Sequence, residues 1–155
     1  MKIERKMDWK DGFRIRGKTQ ITLFDREGNI KDYRETENLI TNNGFDFIAR
    51  QIGGYKTTSA YVCGIGSDNT AANAADTTLG SELARVSGVF AHTAGTKTFT
   101  NTATFDAGVG TGNVYEAGLL NNESSDGTLL NRQTFGLVSK AAGDVLQVIW
   151  TISLD

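Results

Sequence analysis

The sequence predicts an all-β fold, mainly strand with one short helix, arranged as an antiparallel β-sandwich or jelly-roll. Three observations carry this expectation. Hydrophobic residues make up only 39% of the chain, there are 18 glycines and no proline, and Thr, Asn, Gly and Ser take the place of the missing apolar fraction. Thr favours strands, whereas Gly and Asn tolerate the positive φ that tight turns need. Several segments alternate with period two, the signature of a half-buried strand. These strands follow one another without interleaved helices, which argues against a parallel sheet.

Residues 1–14 mix charges with Trp9 and Phe13 without a strict period, and read as an N-terminal arm lacking a core of its own. Large apolar groups on such an arm call for a docking surface on the same domain, a sister subunit or a partner. A single domain is expected over 15–155. Its first strand is Ile15 to Phe24, with Ile15, Gly17, Thr19, Ile21 and Leu23 on one side and Arg16, Lys18, Gln20 and Thr22 on the other. Asp25-Arg-Glu-Gly-Asn forms a turn, and Ile30 to Thr36 returns as the second strand of a hairpin. Phe45, Ile48 and Ile52 then recur at helical spacing. Thr41 or Asn42 is placed to cap, and Gly53-Gly54 to terminate, a helix at about 43–52 whose apolar stripe covers an open end or face of the sheet.

Tyr61 to Gly66 reads as a short buried strand, followed by a long loop of small polar residues over 68–80. Ala84 to Ala91 and Lys97 to Phe105 read as an antiparallel pair around His92-Thr-Ala-Gly. Thr98, Thr100, Thr102 and Thr104 share the solvated or subunit-facing side of the second strand. Val114 to Leu120 and Thr128 to Val138 are the next strands. In the last, Leu146, Val148, Trp150, Ile152 and Leu154 give the cleanest alternation. About eight strands and one helix result.

Several function classes find no support. The one cysteine, Cys63, sits in Tyr61-Val-Cys-Gly-Ile and reads as a buried apolar residue, without a disulfide framework or multi-Cys zinc site. No apolar run approaches the ~20 residues that cross a bilayer, and the charged N-terminus lacks an apolar signal region, so the chain is expected to be made in a cytoplasm without a membrane partner. The net charge of −2 divides into 12 Lys/Arg against 9 Asp/Glu over 1–56 and 4 against 9 over 57–155. A mildly basic front on an acidic body suits a steered protein contact rather than nucleic acid. The Asp/Asn-rich loop around Asp76 lacks EF-hand spacing, and Gly108-Val-Gly-Thr-Gly-Asn lacks the residues of a phosphate loop, so neither a metal nor a cofactor is expected. Glu116, Asp106 and His92 are the ionisable groups to consider for catalysis. Nothing in their spacing links them, and Glu116, inside an apolar strand, reads as an anchor satisfied by backbone amides or by Arg132 or Arg85. No catalytic activity is expected.

Five stretches taken in order resemble structural proteins of tailed-bacteriophage virions: Asn38-Leu-Ile-Thr-Asn-Asn-Gly, the run from Ile65 to Leu83, Tyr115-Glu-Ala-Gly-Leu-Leu-Asn, Gly127-Thr-Leu-Leu-Asn-Arg-Gln-Thr-Phe, and Lys140 to Ile152. The resemblance covers about residue 38 onward. It implies a β-sandwich that decorates a capsid or belongs to a tail or fibre, as a symmetric oligomer with a trimer favoured. Heptads, collagen-like repeats and internal repeats are lacking, and the compact size favours a capsid decoration (cement) protein that binds the major capsid protein or other virion proteins. On that reading Arg5, Lys6, Trp9, Lys10 and Phe13 form part of the contact. The alternative is a tail-tip or fibre component that binds a host surface receptor, through the loop over 67–80 and the Thr face.

Overall fold

The computed structural model describes residues 12, 14–55, 58–124 and 126–155. Nine strands and one helix follow in the order β1 (Ile15–Phe24), β2 (Ile30–Ile40), α1 (Asn42–Ile52), β3 (Val62–Gly66), β4 (Glu82–Ser87), β5 (Val89–His92), β6 (Thr98–Phe105), β7 (Gly112–Leu120), β8 (Leu129–Lys140) and β9 (Val145–Leu154). All pairings are antiparallel, and the sheet order is β4-β3-β7-β8-β2-β1-β9-β6-β5. The two terminal strands of that order, β4 and β5, are consecutive in the chain with only Gly88 between them. The sheet therefore curls back on itself and is nearly closed, barrel-like, with one helix against it. Among the described residues no helix is long and apolar enough to cross a membrane.

The expected hairpin forms with the turn where the sequence placed it. Asp25 Oδ1 accepts from the amides of Glu27 and Asn29, and Gly28 takes φ of 85°. The second strand is longer than expected. It runs past Thr36 to Ile40, where Leu39 and Ile40 change partner from β1 to β8.

The alternation of β1 and β9 holds, and their inward residues build the core. Ile21, Leu23, Leu146, Val148 and Trp150 are buried against Phe105, Ile65 and Leu119. Each such side chain contributes roughly 1.5–3 kcal/mol by leaving water.

Two local expectations are corrected. The segment from Ala84 to Ala91 is not one strand paired with β6. It breaks at Gly88, so that β4 pairs with β3 and only β5 pairs with β6. The break is steric: a Cβ at Gly88 would lie 2.0 Å from Asn101 Oδ1, so the chain turns its corner where it has no side chain.

The helix starts and stops as expected. Thr41 Oγ1 accepts from the Gly44 amide at 3.0 Å, and the Gly53 amide closes on Ala49 O. Its buried face, however, is not Phe45, Ile48 and Ile52. Gly44 and Phe47 are buried with Ile48 beside them, while Phe45 and Ile52 are exposed. Gly44 decides this, because its bare Cα sits against the Leu130 carbonyl, where a Cβ would come within 2.1 Å of the oxygen.

Candidate functional site

The ionisable residues singled out in the sequence are dispersed. Glu116, in the middle of β7, is fully buried, and so is Arg132 on the adjacent β8 at 3% exposure. Arg132 Nε donates to Glu116 Oε2 at 2.8 Å, Nη1 to Asp76 Oδ2 at 2.8 Å, and Nη2 to Asp68 Oδ2 and Thr70 O at 3.2 Å each. The remaining lone pairs of Glu116 accept from the backbone amides of Gly80 (3.0 Å), Ser81 (2.8 Å) and Asp68 (3.4 Å). One cation and three carboxylates thus pin the loop between β3 and β4 to the sheet, and the loop closes on itself through Ser67 N to Ser81 O.

Burial works against the charge on Arg132. The hydrogen bonds to Glu116 and Asp76 outweigh it and hold its pKa above the usual value. Thr70, through its amide and hydroxyl, and then Arg132 hold the Asp68 carboxyl below the usual range. Fully satisfied groups of this kind fix a loop. Arg85, the other partner considered for Glu116, instead pairs with Glu82 and the carbonyls of Asn122 and Ser124.

Cys63 is buried, and desolvation pushes its thiol up to about 12 despite the Trp150 indole donating to Sγ at 3.3 Å. His92, at the exposed end of β5, meets the Thr98 carbonyl through Nδ1 at 2.8 Å. Asp106 offers its backbone oxygen to Lys140 Nζ at 3.0 Å. No hydrogen bond or ion pair joins Glu116, Asp106 and His92 to one another. Among the described residues no three His, Cys, Asp or Glu side chains are grouped to hold a metal ion.

Two surfaces stand out instead. The Thr row of β6 lies on the outer face, in register with Ser153, Thr151, Ile149 and Gln147 of β9. Next to it Lys18 pairs with Glu35 at 2.6 Å, and Glu35 also accepts from Gln20 and Tyr33.

The second surface is apolar. A cleft of about 280 Å³ opens between α1 and the end of the sheet, bounded by Ile15, Ile48, Ile52, Phe99, Ile152 and Leu154. A second hollow of about 450 Å³ adjoins it across Ser59, Ala60 and Phe99 and reaches Tyr61 and Phe90. Phe90 stacks on Phe99 at 5.6 Å yet stays 61% exposed, Val89 is 71% exposed, and Ile52 is 72% exposed. Sequence reasoning missed this surface. Its signal was present in Ile48 and Ile52, four and eight positions after Gly44 and so on the same side of α1. Of the arm residues expected to bind a partner, Arg5, Lys6, Trp9, Lys10 and Phe13 all lie outside the described residues.

No protein-family model, curated protein or solved structure matches the chain.

Proposed function

We propose that the chain is a virion structural protein that acts by surface contact, most concretely a capsid decoration (cement) protein on the outer head. The observation that carries this reading is the contrast between interior and surface. The buried charges Glu116 and Arg132 are consumed by one another and by the backbone, while Val89, Phe90 and Ile52 stand outside on an edge strand and a helix. Exposed apolar patches of that kind serve contacts with other proteins, and an unpaired edge such as β5 is open to a further strand. A sandwich or jelly-roll is the finer form of the fold in this proposal, with β2 and the β4–Gly88–β5 bend as corners shared between two layers. Trimers fit the same reading, and a component that binds only the assembled shell stabilises it by mass action.

The test uses purified heads lacking the protein. Added chain should saturate the head surface, and Lys6→Glu/Lys10→Glu should lower occupancy. Unchanged occupancy after deletion of residues 1–14 would remove the arm from the contact, and a monomer mass in solution would remove the trimer.

One observation favours a second reading, a tail-tip or fibre component that binds a host receptor. The loop between β3 and β4 is held rigid by Arg132, as a preorganised binding loop would be. Labelling of the protein in intact virions separates the two, since signal confined to the tail ends the capsid reading.

A further inference from the structure

Four stretches of strand present a flank with no ladder to a neighbour. They are β4 and β5 at the two ends of the sheet order, and β2 and β8 beyond the pairs Leu39–Arg132 and Ile40–Asn131 that join them. Three of the four carry devices that keep a sheet from growing. Lys31, Asp32, Arg34, Glu35 and Glu37 lie along β2, and Arg34 Nη2 reaches across to Leu137 O at 3.3 Å. Glu82 and Arg85 lie along β4. A bulge breaks β8, where the register jumps from Val138 to Thr134 while β7 advances only from Val114 to Glu116. The fourth, Val89-Phe90-Ala91-His92 of β5, has no Lys, Arg, Asp, Glu or Pro and no register shift, and all four residues are exposed.

Strand parity defines what a neighbour on that edge would meet. Phe90 pairs with the buried Asn101 and so turns to the inner face, whereas Val89 pairs with Thr102 and turns outward. Beside Phe90 on the inner face is the hollow of about 450 Å³, which shares Ser59, Ala60 and Phe99 with the cleft beside Ile52. Among the described residues no Asp, Glu, Lys, Arg or His lines either space. A side chain entering there loses water and finds nothing to pair a charge, so the lining accepts apolar groups and rejects ionised ones.

We propose that β5 is a strand acceptor: an extended, uncharged segment of the partner protein adds to its free edge and places alternate, apolar side chains in the hollow beside Phe90. This rests on the reading of that surface as the contact with a virion partner. Main-chain hydrogen bonds supply the affinity, and the hollow selects the side chains. The β5 of a second copy is a poorer occupant. It is confined to four residues between the Gly88 corner and the turn closed by Thr96 N on Thr93 O, and its Phe90 already stacks on Phe99. A free segment can run on from β5 into the adjoining cleft.

Hydrogen exchange on the full chain, free and bound to purified heads lacking it, tests the pairing. Amides within β5 should exchange about tenfold more slowly on heads, while those of β4 stay as in the free chain. Phe90→Glu should lower head occupancy about tenfold, and Val89→Glu, on the other face of the same strand, should stay within about twofold of the parent. Both side chains are exposed, and thermal melts of the two variants check that the fold is kept. Bound chain with unchanged β5 exchange would overturn the strand acceptor and leave the decoration reading standing, as would equal losses from the two variants. Absence of binding to heads would overturn both. Slowing of β5 exchange in the free chain as its concentration rises would give the edge to a second copy and overturn the partner segment.

Discussion

Arg132 shows what a single side chain can organise in this molecule. It bonds Glu116, Asp76, Asp68 and the Thr70 carbonyl, and thereby ties a loop to two central strands. Removing one member of a buried pair leaves an uncompensated charge, which costs about 3–5 kcal/mol. Arg132→Met should therefore lower the urea midpoint steeply, and Glu116→Gln added to it should recover part of the loss, because it removes the unpaired buried charge while its one amide oxygen can still accept from the Ser81 amide. Cys63 gives a simpler prediction. With its thiol pushed up to about 12, it should resist iodoacetamide at about pH 8 in the folded protein and react only after denaturation, as mass spectrometry would report. The sequence placed Glu116 in an apolar strand and narrowed its cation to two arginines. Choosing between them needed the strand pairing that sets Arg132 opposite Gly118, two residues from Glu116. The acidic residues of the loop were legible only as a poor calcium motif, because their partner is 56 residues from Asp76 along the chain.

Helix α1 and the β4–β5 corner show how elements are fixed by the residues that lack side chains. Two stripes overlap in the helix sequence, Phe45-Ile48-Ile52 and Gly44-Phe47-Ile48. Hydrophobicity favours the first. Close approach to β8 selects the second, and periodicity alone cannot register a contact made by an absent Cβ. Gly44→Ala gains helix propensity of about 1 kcal/mol. A Cβ 2.1 Å from Leu130 O would nevertheless force α1 off the sheet, so the variant should have a lower melting temperature than the parent. Thr41→Ala should cost about 1 kcal/mol through loss of the cap, with a further loss from the bond to Leu129 O at 2.7 Å. The corner at Gly88 escaped the sequence for a related reason. Its flanks read as one alternating strand, and the need to turn comes from Asn101 on a different strand.

At the scale of the whole molecule, hairpin position and helix count were legible because they follow from local periods and turn residues, whereas the strand count of about eight fell short of nine through the break at Gly88. The closure of the sheet was not, since it depends on which distant strands meet. The molecule's charge pairs make its stability depend on acid. Lys18, with Tyr33 and Gln20, brings the exposed Glu35 carboxyl down to about 2. Lys31 and the Ala141 amide lower Asp144, and Thr70 and Arg132 lower Asp68. A carboxyl depressed in the folded state stabilises above its unfolded pKa, and that contribution disappears as pH falls through the folded value. Melting temperature should thus hold steady down to about pH 4.5 and fall from there towards about pH 2, with added salt eroding the exposed Lys18–Glu35 part first.

The pairing of Ile15 with Leu154 has a consequence for biosynthesis. Strand β1 leaves the ribosome early, yet one of its two neighbours is translated only after every other strand of the sheet. Until then β1 can pair only with β2, with the flank that β9 will occupy open to other nascent chains. Closure at that flank is a late, long-range event. With no proline to isomerise, the search for that pairing, and not a peptide-bond rotation, sets how long the chain stays vulnerable.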